Sequence, residues 1–97
     1  MQYKTEEISL IEHGTVTAFQ ATLFLTAHFN DPERDCICLN VASGSLPQMK
    51  RELFGNECFT YNAKDNGVFG IRLLRIEIDV NRLEEWAYLL ISKLEYP

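Results

Sequence analysis

Residues 17–29 read TAFQATLFLTAHF, and the alternation within this stretch decides the predicted fold. The odd positions carry Thr, Phe, Ala, Leu, Leu, Ala and Phe, and the even positions carry Ala, Gln, Thr, Phe, Thr and His. Because successive side chains of a strand point to opposite faces, this pattern predicts one long strand with an apolar face. The same period of two recurs at residues 36–41, where Ile, Leu and Val alternate with Cys and Asn.

Residues 57–63 and 68–79 flank the dipeptide Asn66-Gly67, which is a strong signal for a tight β-hairpin. Type I′ turns require a positive φ at both central positions, and Asn and Gly tolerate that conformation. The two arms are therefore predicted to pair. In the second arm the apolar phase changes from odd to even positions, so we expect a β-bulge near Leu73-Leu74. A further strand is predicted at residues 3–12.

Two segments carry helix signals. In the first, Ser45 and Gln48 form a capping-box pattern, and Gly55 can provide a left-handed stop. In the second, Asn81 stands three residues before the acidic Glu84, which suits the first turn of a helix. The apolar stripes at spacings of three and four would be Leu46, Met49 and Leu53 in the first helix, and Leu83, Trp86, Ala87, Leu90 and Leu94 in the second.

The predicted fold is a single α+β domain over residues 1–97, with the element order β-β-β-α-β-β-α. Ninety-seven residues support one hydrophobic core. Short loops favour antiparallel neighbours, so we expect an antiparallel sheet of about five strands. Two amphipathic helices can cover one face of that sheet, which leaves the other face open.

The charge of the chain narrows the classes of partner. Fourteen acidic residues against nine basic ones give a net charge of −5. Binding to phosphate backbones or anionic membranes needs clustered Lys and Arg, and here the basic residues are scattered. We therefore expect no direct binding to nucleic acid or to a membrane. An acidic surface favours basic proteins through electrostatic steering.

The compartment is inferred from sorting signals and cysteine usage. The first ten residues contain Lys4, Glu6 and Glu7 and lack the apolar region of a signal peptide. No apolar run approaches the ~18 residues that a membrane-spanning helix needs. Three cysteines cannot all pair within one chain. These features predict a reducing cytoplasm.

The cysteines and the acidic loop are the places where a metal site could form. The three cysteines and His28 offer four soft ligands. However, Cys36 and Cys38 would stand roughly 7 Å apart on a flat strand, which is poor geometry for zinc. The loop at residues 31–35 resembles the start of a calcium loop, yet its sixth and twelfth positions are Cys and Ala rather than Gly and Glu. We predict no metal site and no cofactor.

No catalytic motif is present in the sequence. The chain has two histidines, no Gly-x-Ser-x-Gly and no phosphate-binding glycine loop. A nucleophilic pair of His28 with Cys36 or Cys38 requires the second and third strands to be neighbours, and a disulfide from Cys58 to either cysteine also stays open. Surface histidines and small half-buried cysteines are the simpler interpretation. No catalytic residue is predicted.

The open sheet face is the predicted partner-binding surface. It is rich in small residues and nearly free of charge, which suits packing against another protein. The candidate residues on or beside this face are Phe24, Thr22, Thr26, His28, Cys36 and Cys38, and those of the acidic loop are Asp31, Glu33 and Asp35. Glu6, Glu7 and Glu12 are further acids that could meet a basic partner.

These observations favour a non-enzymatic, acidic protein-binding module that neutralises or escorts a partner protein. The predicted element order resembles that of class I type III secretion chaperones without their first helix. Several bacterial immunity proteins are similar in having a small α+β sheet. Both resemblances imply that the chain binds another protein, and neither rests on a motif.

The alternative hypothesis is a small homodimeric enzyme or ligand-binding domain with its site at the dimer seam. It predicts a cavity with convergent polar groups and a shifted pKa. His28 and the cysteines would be the first residues to lie in such a site.

Overall fold

The computed structural model describes residues 2–31 and 36–95, and the side chains of residues 4–29 and 36–94. Within these residues, every regular element except one short 3₁₀ turn is a β-strand. The prediction of an α+β domain with two helices is therefore wrong. The strands are β1 (Gln2–Ile11), β2 (Thr15–Ala18), β3 (Leu23–Asp31), β4 (Cys36–Ala42), β5 (Met49–Phe54), β6 (Cys58–Asn62), β7 (Val68–Asp79) and β8 (Glu84–Glu95).

The strands form two antiparallel sheets of four instead of one sheet of about five. Sheet I has the order β1-β8-β7-β6, and sheet II has the order β2-β3-β4-β5. Neighbours in sheet II are consecutive in the chain, so each pair is a hairpin. The chain passes between the sheets at residues 12–14 and 55–57. β8 returns beside β1 and pairs with it from Gln2↔Glu95 to Ile11↔Trp86, which joins the first strand to the last.

The two sheets pack face to face over one hydrophobic core. Alternate residues of β3, β4, β6 and the first half of β7 are buried, as period-two patterning requires. β3, β4 and β8 contribute most of the inward-facing side chains. These are Leu23, Leu25, Ala27 and Phe29, then Ile37, Leu39 and Val41, then Ala87, Leu89 and Ile91.

The predicted long strand over residues 17–29 is broken into β2 and β3. Phe19, Gln20 and Ala21 have φ values of 54°, 56° and 64°, so the backbone turns left-handed for three residues in succession. The turn brings Thr15 opposite Thr26 and lets β2 pair with β3. None of the three residues is Gly, Pro, Asn or Asp, so the sequence carried no turn signal there.

The segment predicted as the first helix forms β5. Its six strand residues pair with β4, and Leu53 lies opposite Ile37 in the core. Met49 remains exposed instead of joining a helical stripe. An isolated helix of this length is marginal in water, whereas pairing with β4 satisfies the backbone hydrogen bonds.

The segment predicted as the second helix forms β8, the strand paired with both β1 and β7. Residues 86–91 read WAYLLI, and a continuous apolar run fits both helical and strand periods. In the structure Ala87 and Leu89 point into the core, whereas Leu90 faces outward and is half-buried. The preference of these residues for helix is overridden by pairing on both sides.

The predicted hairpin of β6 and β7 is confirmed, and so is the bulge. β6 pairs with the start of β7, and the register shifts between Leu73 and Arg75. The turn differs from a type I′ turn because it is a five-residue loop, closed by a hydrogen bond from Ala63 N to Gly67 O of 2.8 Å. Gly67 has a φ of 111°, which favours glycine there.

The corrected topology removes the basis for the resemblance to type III secretion chaperones and immunity proteins, since both depended on helices that do not form. The described residues include no helix that is long and apolar enough to cross a membrane.

Candidate functional site

The predicted partner-binding face exists only in part. Phe24, Thr26 and His28 lie on the outer face of sheet II, and Cys38 is the strand partner of His28. Phe24 is 43% exposed and is the one large apolar side chain of β3 on this face. Whether these residues bind a partner stays a prediction.

The remaining candidates lie elsewhere. Cys36 is buried, because the register shifts between His28 and Asp31 and turns it inward. Thr22 belongs to the β2–β3 turn, where its carbonyl accepts a 2.8 Å hydrogen bond from Ser43 Oγ. The side chain of Asp31, and all of Glu33 and Asp35, lie outside the described residues.

The three cysteines do not converge. Cys36 and Cys38 lie on β4 in sheet II, whereas Cys58 lies exposed on β6 in sheet I. No disulfide links them, and all three lie within the described residues. The zinc site with His28 and the disulfide that the sequence left open are therefore not formed.

Among the side chains that the structure describes, the most exposed large apolar ones lie at the end of the β7–β8 hairpin. Ile78 is 50% exposed, Val80 73% and Leu83 91%. We call residues 78–83 the hairpin tip. Its turn is held by the carboxylate of Asp79, which accepts hydrogen bonds from the backbone N–H groups of Asn81 and Arg82 at 3.0 and 3.2 Å. Such an Asx turn orders the backbone locally.

The hairpin tip projects because β6 is shorter than β7. The β6–β7 ladder ends at Cys58↔Arg72, and the next contacts across that edge are two hydrogen bonds between Leu73 and residues 56–57. Beyond the bulge at Leu74, no described strand pairs with the outer edge of β7. This edge presents unpaired N–H and C=O groups next to exposed apolar side chains.

Acidic groups surround the hairpin tip. A groove of about 480 Å³ beside it includes Glu77, Asp79 and Glu84 together with Trp86 and Tyr88. A second groove of about 290 Å³ on its other side is lined by Ile11, Glu12, Leu83, Glu84 and Glu85. Two arginines accompany these five carboxylates, Arg75 beside Glu77 and Arg82 beside Asp79, so the surroundings are net negative.

One exposed cluster on β7 and β8 has shifted pKa values. Arg75 Nε donates to Glu77 Oε1 at 3.0 Å, and the Arg75 guanidinium lies 4.2 Å from the centroid of the Tyr88 ring. The hydrogen bond with Glu77 raises the pKa of Arg75, and the same bond lowers the pKa of Glu77. Desolvation raises the pKa of Tyr88, with Glu77 adding to the shift.

A third groove, of about 450 Å³, lies where the β2–β3 turn meets sheet I. Its lining mixes Lys4, Glu6 and Lys93 with Phe19, Gln20 and Thr22. The backbone N–H of Phe19 donates to Glu6 Oε2 at 3.0 Å, which ties the left-handed turn to β1. Lys93 Nζ stands 5.8 Å from the centroid of the Phe69 ring.

The β1–β2 turn brings the two histidines together, which the sequence did not indicate. His13 and His28 have ring centroids 5.1 Å apart, and His28 Nδ1 lies 3.2 Å from Glu12 Oε2. Fifteen residues separate the two histidines in the chain. Their proximity depends on the pairing of β2 with β3. The sequence predicted one continuous strand over residues 17–29 and so gave no sign of this pairing. The exposure of the hairpin tip was missed for a similar reason, since Leu83 was assigned to a helix stripe.

Comparison with protein-family models, with curated proteins and with solved structures found no significant match to this chain.

Proposed function

We propose that the protein is a non-enzymatic module that binds a basic partner protein through its hairpin tip, and so neutralises or escorts that partner. The observation that carries the proposal is the exposure of Ile78, Val80 and Leu83 together on a projecting hairpin. Single exposed apolar residues need no explanation, but three such side chains within six residues of one hairpin, with polar groups around them, favour a protein interface.

The charge around the hairpin tip supports a basic partner. Carboxylates of Glu12, Glu77, Asp79, Glu84 and Glu85 rim the apolar side chains. Rim charges of one sign steer a partner of opposite sign and contribute more to the association rate than to the final affinity. The net charge of −5 over the whole chain acts in the same direction.

The open edge of β7 offers a second mode of contact beside the apolar tip. An extended segment of the partner could add to residues 74–79 as a further strand, with main-chain hydrogen bonds giving affinity. Exposed Arg75 and Glu77 on this edge disfavour indiscriminate pairing between copies of the chain.

We further propose that the protein works in a reducing cytoplasm. This is supported by three cysteines that form no disulfide, one of them exposed on β6.

The test compares three baits: the unchanged protein, the double variant V80S/L83S, and F24S as the matched control on the outer face of sheet II. Both variants remove exposed apolar surface without touching the core. We expect one stoichiometric partner to co-purify with the unchanged protein and with F24S, and recovery by V80S/L83S to fall at least about tenfold. Thermal unfolding of the free baits confirms that each one is folded.

Two outcomes would contradict the proposal. In the first, the partner is lost with F24S and retained with V80S/L83S, which would assign binding to the sheet face. In the second, only a second copy of the chain is recovered, which would favour the alternative of a homodimer with a site at its seam. That alternative has less support here, because the pKa shifts found at Arg75, Glu77 and Tyr88 belong to one exposed cluster and not to an enclosed cavity.

A separate double variant tests the role of the acidic rim in steering the partner. E84Q/E85Q should slow association with the recovered partner and reduce its salt dependence, while the dissociation rate changes little. E52Q, on β5 away from the hairpin tip, is the control. An association rate unaffected by E84Q/E85Q would remove electrostatic steering from the proposal.

A further inference from the structure

We propose that Glu12, His13 and His28 form a binding site for a borderline divalent cation of the zinc class. Each of these residues offers one ligand atom, and the three atoms lie within 4.8 Å of one another. The site shares Glu12 with the acidic rim of the hairpin tip, but the metal proposal does not rest on partner binding. The site also differs from the cysteine site that the sequence suggested, since it contains no thiolate.

The donor set determines the class of metal. Two imidazoles and one carboxylate are a set that zinc uses when three protein ligands leave a fourth position open. Two nitrogen donors favour Zn²⁺, Ni²⁺ or Cu²⁺ over Mg²⁺ and Ca²⁺, which prefer oxygen ligands alone. The His28 side chain is 57% exposed and that of Glu12 is 33% exposed, so a fourth position would face solvent.

The fold holds the three ligands near one another before any metal binds. His13 has a φ of 62°, and its backbone N–H donates to the carbonyl of Ala27 at 2.9 Å. This bond joins the β1–β2 turn to the residue beside His28. Glu12 Oε2 accepts a hydrogen bond of 2.9 Å from the backbone N–H of Phe29, which orients the carboxylate from the other side.

Gly14 fixes the turn that carries His13. A Cβ at this position would lie 2.6 Å from Cγ2 of Ile11, closer than packed side chains allow. Its backbone N–H donates to the carbonyl of Ile11 at 2.9 Å, so the chain reverses within a few residues. The tight reversal places His13 over β3, with its ring inclined by 30° to that of His28.

The test is a titration of metal-stripped protein with Zn²⁺ followed by calorimetry, and with Co²⁺ followed by its visible absorption. We expect one metal per chain. Each of the variants H13Q, H28Q and E12Q should weaken Zn²⁺ binding at least about tenfold. The controls are E7Q, an exposed acid on β1, and C38S, which removes the thiol paired across from His28. Both controls should bind Zn²⁺ like the unchanged protein.

Imidazole NMR signals of the unchanged protein provide a readout that needs no variant. The chain has two histidines and both are in the proposed site, so both should shift when one equivalent of Zn²⁺ is added. Absence of binding would overturn the proposal. So would a shift of one histidine alone, affinity unchanged in H13Q, or a cobalt–thiolate band that disappears in C38S.

Discussion

At the scale of single residues, the left-handed turn at Phe19, Gln20 and Ala21 is the most strained backbone in the described chain. A left-handed conformation costs roughly 1–2 kcal/mol for each residue with a Cβ. Glycine removes that cost but adds roughly 0.5–1 kcal/mol of unfolded-state entropy. We expect Gln20→Gly to raise the free energy of unfolding by about 0.5–1 kcal/mol in urea titrations.

The control for this prediction is Thr17→Gly in the adjacent strand. Thr17 pairs with Phe24 and has no positive φ, so glycine should lower the stability there. If Gln20→Gly were as destabilising as Thr17→Gly, the left-handed turn would not exist in solution.

The Arg75–Glu77 pair leads to a prediction about pH. The hydrogen bond from Arg75 lowers the pKa of Glu77 below its ordinary value of 4.5. The pair therefore stabilises the folded state above the unfolded pKa, and this contribution is lost as pH falls through the lower folded pKa. NMR titration of the Glu77 carboxyl group should show a midpoint below 4.5, and Arg75→Met should move it upward.

Arg72→Met is the matched control for the Glu77 titration. Arg72 is exposed on the same strand, five residues before Glu77. Its cross-strand partners are Leu90 and Cys58. Its replacement should leave the Glu77 midpoint unchanged. Since both side chains of the Arg75–Glu77 pair are more than half exposed, added salt should also weaken the shift.

At the scale of elements, the strand conformation of β8 can be tested through the alternate burial of its side chains. Leu89 is fully buried between β1 and β7, whereas its neighbour Leu90 faces outward. Leu89→Ala should cost about 2–5 kcal/mol of unfolding free energy, as for other buried leucines, and Leu90→Ala about 1 kcal/mol. The helix predicted from sequence requires the reverse order, because Leu90 belonged to its apolar stripe.

The strand prediction for residues 17–29 was confirmed only in part, because residues 19–21 form a left-handed turn. The alternation of residues 23–29 matches the buried face of β3, and the change of phase in residues 68–79 correctly indicated the bulge at Leu74. In β8, each position of WAYLLI is apolar, so the pattern could not choose between helix and strand. The choice is made by pairing with β1, which is more than 70 residues distant in sequence.

The site was less predictable than the strands. Phe24, Thr26 and His28 share a face, as the two-residue period of a strand alone predicts. The hairpin tip could not be found, because the sequence placed Leu83 on a helix, whereas it lies on the turn between β7 and β8. The proximity of His13 and His28 likewise requires the β2–β3 turn, for which no residue gave a signal.

At the scale of the whole molecule, the protein is elongated, with extents of 46 × 26 × 21 Å. β7 and β8 are its longest strands, at 12 residues each, and their hairpin carries the exposed apolar residues. The core is shared by both sheets, so substitutions at the hairpin tip can change binding without loss of the core. This separation of tip from core is what allows the three baits to be compared.

Hydrogen–deuterium exchange on the complex with the recovered partner tests the binding surface most directly. In the free protein, the amides of residues 74–79 that point away from β8 should exchange rapidly, because the outer edge of β7 has no paired strand there among the described residues. Binding should slow exchange in these residues and leave residues 24–28 and 38–42 unchanged. Slowed exchange on the face of sheet II, with the hairpin tip unaffected, would contradict the account.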